Sequence, residues 1–115
     1  MTVTIYHNPK CSKSRETLAL LQNKGITLQI VEYLKTPPDA ATLKQIIKWL
    51  GIGPRDLMRR KEEPYKTLGL DDPKLSNDAL IAAMVAHPIL IERPIVVAHG
   101  KAALGRPPGN VLAIL

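Results

Sequence analysis

The chain begins with a segment in which β-branched side chains alternate with others. A segment whose leucines have helical spacing follows it. Thr2 to Tyr6 alternates β-branched side chains with others and predicts a strand. A loop with turn and helix-cap residues comes next, and the spacing of leucines after Ser14 predicts a helix that Gly25 stops. Thr27 to Tyr33 predicts a second strand, ended by residues 36–38. A β-α-β unit of this length favours parallel pairing with a right-handed crossover.

The middle of the chain has helical spacing almost throughout. Asp39 can cap a helix whose apolar side chains recur three and four positions apart until Gly51 and Gly53 end it. A shorter helix is predicted around Pro54 to Arg60, and Ser76 starts another whose apolar side chains share one face. A loop between these two helices is predicted through Pro64, Gly69 and Pro73. His87 and Pro88 end the helix that starts at Ser76.

The final third of the chain predicts a β-hairpin and a short helix. Pro94 to Ala98 reads as a strand, His99-Gly100 as a tight turn, and Lys101 to Gly105 as an antiparallel return. Residues 107–115 predict a last short helix. The order of elements is therefore β-α-β, a helical insertion, and β-β-α. This is the connectivity of an α/β, thioredoxin-like fold.

Length and composition suit a small soluble domain. The chain has 115 residues, of which 45% are hydrophobic, so we predict a single thioredoxin-like domain over 1–115 with a helical insertion at approximately 39–87. The longest apolar run, LIAAMVA, is far shorter than the roughly 20 residues that cross a membrane. The N-terminus has no secretory signal pattern. We expect a cytoplasmic protein that has no membrane partner.

Net charge and aromatic content limit the classes of ligand that we expect the protein to bind. Lys and Arg number 16 against 10 Asp and Glu, a net charge of +6 that attracts phosphate-like or carboxylate ligands. The sequence has no Phe, one Trp and three Tyr, which weighs against nucleic-acid binding by base stacking. We expect no specific nucleic-acid partner. No pair among His7, His87 and His99 has the helical spacing of metal ligands, so a metal site is disfavoured.

The single cysteine is the strongest candidate for chemistry. One cysteine forms no internal disulfide and no C-x-x-C pair. Cys11 is predicted where a strand ends and a helix begins, a position whose free N–H groups and helix dipole lower a thiol pKa. Lys10, Lys13 and Arg15 add positive charge, and Ser14 is spaced to offer a hydroxyl or a cap. The alternative is that Cys11 is a small buried apolar residue.

The C-x-x-S spacing decides where a reductant comes from. Ser14 stands where a resolving thiol would be, so an adduct on Cys11 must be resolved by an external thiol. Arg93 and Pro94 stand at a strand entrance, where the proline donates no ladder hydrogen bond and can adopt the cis peptide. In thioredoxin-like folds such a proline faces the cysteine loop, and the alternative is an ordinary edge-strand proline.

Arginines and one histidine complete the candidate site. The guanidinium groups of Arg59, Arg93 and Arg106 match tetrahedral oxyanions bidentately and stay charged at any working pH. The alternative for each is surface solubility. His7 is close enough in sequence to influence Cys11 through a hydrogen bond or its charge.

Four separated motifs resemble those of the glutaredoxin-dependent arsenate reductase family, and the match spans nearly the whole chain. They are YHNPKCSKSRETL at 6–18, EPYKTLGL at 63–70, HPILIERPIVV at 87–97 and GRPP at 105–108. The chain is most similar to a chromosomal subgroup with a CSKS cysteine motif. The resemblance implies a thioredoxin-like fold and the reduction of arsenate to arsenite. It also implies glutathione as co-substrate, glutaredoxin as partner and no tightly bound cofactor.

The resemblance also implies roles for particular residues. Cys11 matches the family nucleophile, which forms a covalent arsenic adduct and is resolved by glutathione and glutaredoxin. The other matching residues are the oxyanion-binding Arg59, Arg93 and Arg106, the supporting His7 and Ser14 that help to keep the nucleophile ionised, and Pro94 before the third strand.

The chain departs from the resistance-conferring members of that family beside the cysteine. Those members carry Gly-Thr after the cysteine, whereas this chain has Ser12 and Lys13. Two other functions therefore stand beside arsenate reduction. One is a monothiol, glutathione-dependent reductase of another substrate. The other is a non-catalytic redox regulator that binds RNA polymerase, although Ser14 removes the C-x-x-C switch of such regulators.

Overall fold

The computed structural model describes residues 2–115, which form two compact units. One, the sheet unit, comprises residues 2–36 and 93–115, and the other, the helical unit, comprises residues 37–92. The single-domain prediction and the insertion bounds of 39–87 stay predictions. Among residues 2–115, no helix is long and apolar enough to cross a membrane.

The sheet unit has four strands and confirms the α/β, thioredoxin-like prediction. The strand order is β2-β1-β3-β4, with β1 parallel to β2 and antiparallel to β3, and β3 antiparallel to β4. The parallel pairing agrees with the β-α-β expectation. The strands are β1 (Val3–His7), β2 (Leu28–Glu32), β3 (Ile95–Ala98) and β4 (Lys101–Leu104).

One helix and one terminal turn cover a face of the sheet. Helix α1 (Ser12–Asn23) and the 3₁₀ helix Pro108–Ile114 contribute to an aliphatic core with the strands. The fully buried members of this core are Ile5, Leu21, Val96 and Val111. The core holds β1 and α1 together, and the loop that carries Cys11 connects them.

The hairpin turn follows from local backbone chemistry. His99 and Gly100 both have positive φ, 55° and 69°, as a two-residue hairpin turn requires. The predicted turn is therefore confirmed. Strand and helix bounds differ from the predictions by one or two residues, and α1 begins at Ser12 instead of Ser14.

The helical unit contains three helices, two of which have the predicted caps. Asp39 Oδ1 accepts the Thr42 N–H at 2.8 Å, and Ser76 Oγ accepts the Ala79 N–H at 3.1 Å. Gly51 ends the first helix with a φ of 70°. The helices are α2 (Ala40–Leu50), α3 (Glu63–Thr67) and α4 (Asn77–Ala86), with 3₁₀ turns at Pro54–Leu57 and Pro88–Leu90.

Two predictions in this unit were wrong. The loop predicted through Pro64 contains α3, because proline fits the first turn of a helix and Tyr65 is buried there. The helix predicted around Pro54 to Arg60 is one 3₁₀ turn, after which Met58 pairs with Ile91 in an isolated antiparallel bridge.

Candidate active site

Cys11 lies between the end of β1 and the start of α1, as predicted. It is the N-cap residue of α1, and its thiol is largely buried. Its N–H donates to the Asn8 carbonyl at 3.0 Å, and its carbonyl accepts the Arg15 N–H at 3.0 Å. These two bonds hold the backbone at Cys11 in an extended conformation while the next residues turn into the helix.

A guanidinium contacts the sulfur directly. Arg106 Nη2 donates to Cys11 Sγ at 3.4 Å, although the two residues are 95 positions apart. Arg106 Nε donates to the Arg93 carbonyl at 2.7 Å, and the Arg106 carbonyl accepts the Asn110 side-chain amide at 3.0 Å. The guanidinium of Arg106 is therefore held by the Arg93 carbonyl, and its backbone is held by the Asn110 side chain.

The surroundings lower the pKa of Cys11. Burial by itself raises the pKa, but the Ser14 backbone N–H, a hydrogen bond from Arg93 and the charges of Arg93 and Arg106 outweigh it. Each of these groups stabilises the thiolate more than the neutral thiol. The environment therefore favours the nucleophilic form of the sulfur at a lower pH than an ordinary cysteine allows.

Ser14 contributes to this site through both its side chain and its backbone. Its hydroxyl lies 2.6 Å from His7 Nδ1 and accepts the Asn8 N–H at 3.0 Å, and Ser14 is fully buried. The side chain thus connects the end of β1 to the first turn of α1. The part of Ser14 that stabilises the Cys11 thiolate is its backbone N–H.

His7 is buried at the carboxyl end of β1. Its pKa is lowered, chiefly because burial disfavours the imidazolium, with Glu32 opposing this effect and Arg15 reinforcing it. His7 is paired with Glu32 in the register of β1 and β2. The neutral imidazole is therefore favoured, and its Nδ1 holds the Ser14 hydroxyl.

Pro94 and Gly105 bring β3 and β4 close to α1. The Arg93–Pro94 peptide is cis, and the Gly105 N–H donates to the Pro94 carbonyl at 2.9 Å. A Cβ at Gly105 would lie 2.5 Å from Thr17 Oγ1 and 2.7 Å from Pro94 Cγ, inside any real contact distance. Only glycine fits there without a shift of the Thr17 side chain or of the proline ring.

Arg59 belongs to the helical unit and is paired with two carboxylates. Its Nε donates to Glu62 Oε1 at 3.3 Å, and its Nη1 donates to Glu92 Oε1 at 2.9 Å. Burial alone lowers the pKa of Arg59, but the carboxylates outweigh this and raise it, Glu92 more than Glu62. A cavity of about 250 Å³ opens here, lined by Met58, Arg59, Arg60, Lys61 and Glu92.

The sheet unit brings together most of the residues that the sequence singled out. Hydrogen bonds or electrostatic interactions connect five of them: Cys11, Arg93, Arg106, Ser14 and His7. Four contributors had no role predicted from the sequence, although three of them stand inside the motifs at 6–18, 87–97 and 105–108 and Glu62 is three residues after Arg59. They are Asn8, Gly105, Glu62 and Glu92.

Within residues 2–115, no group of three or more His, Cys, Asp and Glu side chains is arranged to hold a metal ion. The chemistry that the site offers comes from the thiol, the guanidinium groups and the backbone N–H groups of the first turn of α1. A low-pKa thiol with a guanidinium on its sulfur can attack an electrophilic centre that carries negative oxygens.

Comparisons with known proteins match this chain to one family and to named relatives. Residues 6–114 match the ArsC family. Arsenate reductase of Neisseria meningitidis is 54% identical over 114 residues, covering 98% of this chain and 97% of that protein. YfgD of Escherichia coli, which carries no assigned function, is 60% identical over 98% of this chain and 96% of its own length. The solved structure of arsenate reductase from Vibrio cholerae has a TM-score of 0.97 at 60% identity, covering 100% of this chain and 98% of that one.

Proposed function

This chain belongs to the ArsC family, and from that premise we propose that it reduces arsenate to arsenite. The observation that carries the proposal is the contact of Arg106 Nη2 with Cys11 Sγ at 3.4 Å, because it joins a nucleophile to an anion-binding group. Relatives named arsenate reductases, in sequence and in structure, support the choice of substrate.

The first step is an attack of the Cys11 thiolate on arsenic. A sulfur–arsenic bond forms while an arsenic–oxygen bond breaks, and the departing oxygen takes up a proton and leaves as water. Arg93 and Arg106 stabilise negative charge at the sulfur, which supports a role for them in balancing the charge that moves onto the arsenate oxygens. Arsenic remains pentavalent in this adduct.

The reducing electrons come from external thiols, because Cys11 is the only cysteine in the sequence. Glutathione forms a second sulfur–arsenic bond and displaces another water molecule. A glutaredoxin thiolate then attacks the glutathione sulfur, and the electron pair of the breaking bond goes to arsenic, which becomes trivalent. Water releases arsenite and restores the thiol, while glutaredoxin carries away the mixed disulfide. We propose the cytoplasm, where glutathione is plentiful, as the compartment.

Arg59 keeps its place in the proposal as an anion ligand on the strength of the family resemblance. A guanidinium presents five N–H donors, of which the contacts with Glu62 and Glu92 use two. The remaining donors are able to bind oxyanion oxygens. His7, Ser14 and Pro94 support the site by holding β1, α1 and β3 in place, without touching the substrate in the mechanism proposed.

The test is arsenate-dependent NADPH consumption, coupled through glutathione, glutaredoxin and glutathione reductase. Cys11→Ser is expected to lose at least about a thousandfold in rate, because a hydroxyl at this site lacks both the acidity and the nucleophilicity of a thiol. Ser12→Ala, an exposed neighbour, is the matched control and should retain activity. Turnover by Cys11→Ser, or none by folded wild type with several glutaredoxins, would contradict the proposal.

A further inference from the structure

The surroundings of Arg59 point to a second determinant of oxyanion binding. Arg59 Nη1 contacts Glu92 at 2.9 Å, and Arg59 Nε contacts Glu62 at 3.3 Å. One guanidinium charge is therefore opposed by two carboxylate charges at hydrogen-bond distance. We infer that Glu62 and Glu92 form a carboxylate clamp that sets the affinity of Arg59 for oxyanions and discriminates between them by charge.

Partial burial makes the clamp strong enough to act. The side chains of Arg59, Glu62 and Glu92 are 24%, 27% and 25% exposed, so solvent screens their charges less than it screens an open surface pair. By contrast, the ion pair of Arg60 with Asp56 spans 3.7 Å between side chains that are more than half exposed. The clamp is thus specific to Arg59 within this basic segment.

The cavity beside the clamp is large enough for an oxyanion. Its volume is about 250 Å³, and its lining combines the basic residues Arg59, Arg60 and Lys61 with Glu92. An anion that enters this cavity gains the basic side chains but meets the Glu92 carboxylate. It must compete with Glu62 and Glu92 for Arg59, and the repulsion rises with the anion's charge because Coulomb energy scales with the product of the charges.

This scaling gives a signature that a merely structural role would not produce. Sulfate is a dianion and nitrate is a monoanion at any working pH. Removing the clamp charges should therefore favour sulfate by the square of the factor by which it favours nitrate. A loss of packing or of folding would instead weaken both anions alike.

The inference rests on the proposed function only in taking Arg59 as an anion ligand, and its test needs no turnover. Dissociation constants for sulfate and nitrate are measured by calorimetry on wild type and on Glu62→Gln/Glu92→Gln. Glutamine keeps the hydrogen-bonding oxygen and removes the charge. We expect the affinity for sulfate to rise about tenfold and that for nitrate about threefold in the double variant.

A matched control also removes two negative charges, but at other positions of the helical unit. Glu63→Gln/Asp71→Asn changes two exposed acidic residues and should leave both affinities within about twofold of wild type, because exposed charges are screened. Adding Arg59→Ala to the clamp variant should abolish the gain. Unchanged or weaker sulfate binding in the clamp variant, equal gains for both anions, or an equal gain in the control would overturn the inference.

Turnover separates this inference from the proposed function. If the clamp variant binds sulfate more tightly while neither it nor wild type reduces arsenate, the clamp stands and the proposed function fails. If wild type reduces arsenate and the clamp variant binds sulfate as wild type does, the proposed function stands and the clamp fails.

Discussion

Arg106 in the sheet unit and Arg59 in the helical unit have the same side chain and opposite surroundings. Arg106 donates to the Cys11 sulfur and to the Arg93 carbonyl, so its charge acts on a group that can be neutral or ionised. Arg59 instead donates to two carboxylates, those of Glu62 and Glu92. An arginine in a family motif is thus a potential anion ligand, and its neighbours decide how much of its charge a substrate meets.

Replacing Arg106 is expected to have the largest effect on this comparison. Arg106→Ala should lower kcat/KM for arsenate about a hundredfold, because it removes a donor and a charge at the reacting sulfur. It should also raise the pKa of Cys11, which thiolate absorbance as a function of pH measures. Arg106→Lys keeps the charge but loses the forked guanidinium, so its kcat/KM should lie between those of wild type and Arg106→Ala.

Arg59→Ala is the matched comparison for that experiment. The groups that lower the pKa of Cys11 are Ser14, Arg93 and Arg106, all in the sheet unit. Arg59→Ala should therefore weaken arsenate binding and leave the thiol titration unchanged. If both arginine variants move the thiol titration equally, the contrast between the two arginines fails.

A smaller but still large effect is expected at Gly105, where the sheet unit is tightest. Gly105→Ala should lower the free energy of unfolding by about 2 to 3 kcal/mol, because the new Cβ overlaps Thr17 and Pro94. Urea unfolding measures this. Gly109→Ala is the control, since a Cβ there meets nothing within 4 Å. Equal stability of the two variants would show that β4 and α1 yield at little cost.

Much of the fold could be predicted because its signals are local. The Asp39 and Ser76 caps, and the turn at His99-Gly100, each depend on residues within four positions of one another. The place of Cys11 at the junction of β1 and α1 follows from a change in hydrophobic period. The sequence does not predict helix α3, because a proline is typical both of a loop and of a first helical turn, and Pro64 occupies the latter.

The contacts of the site could not be predicted, because distant segments make them. Gly105 meets Thr17 and Pro94, and nothing local in the sequence marks that approach. Glu92 reaches Arg59 from 33 positions away. The family resemblance supplied the list of arginines, but it assigned no role to the two carboxylates that contact Arg59.

Ser14 and Ser76 provide a comparison of buried and exposed hydroxyls, with moderate effects. Ser14→Ala should destabilise the fold by about 2 kcal/mol, because it leaves His7 Nδ1 and the Asn8 N–H buried without that hydroxyl. Ser76→Ala removes an exposed cap of α4 and should cost about 1 kcal/mol. Thermal and urea unfolding measure both. A larger loss at Ser76 would contradict the assignment of the buried bonds to Ser14.

The smallest expected effect is a pH dependence that separates the two arginines. The folded pKa of Cys11 lies below its unfolded value, so its thiolate adds stability that is fully present above the unfolded pKa and is lost as pH falls through the folded pKa. Arg106 contacts that thiolate. The stability lost in Arg106→Ala should therefore grow as pH rises through this window.

Arg59→Ala should give no such slope in the same window. The charges that lower the pKa of Cys11 are those of Arg93 and Arg106, so the cost of Arg59→Ala should be constant from about pH 6 to pH 9. Urea midpoints for both variants and wild type at steps across that range give the two curves. Adding Cys11→Ser to Arg106→Ala should flatten the Arg106 curve, because the titrating partner is gone. If the stability lost in Arg106→Ala does not change with pH while Cys11 is present, or if the stability lost in Arg59→Ala rises with pH as well, the sulfur is not the charge that Arg106 balances.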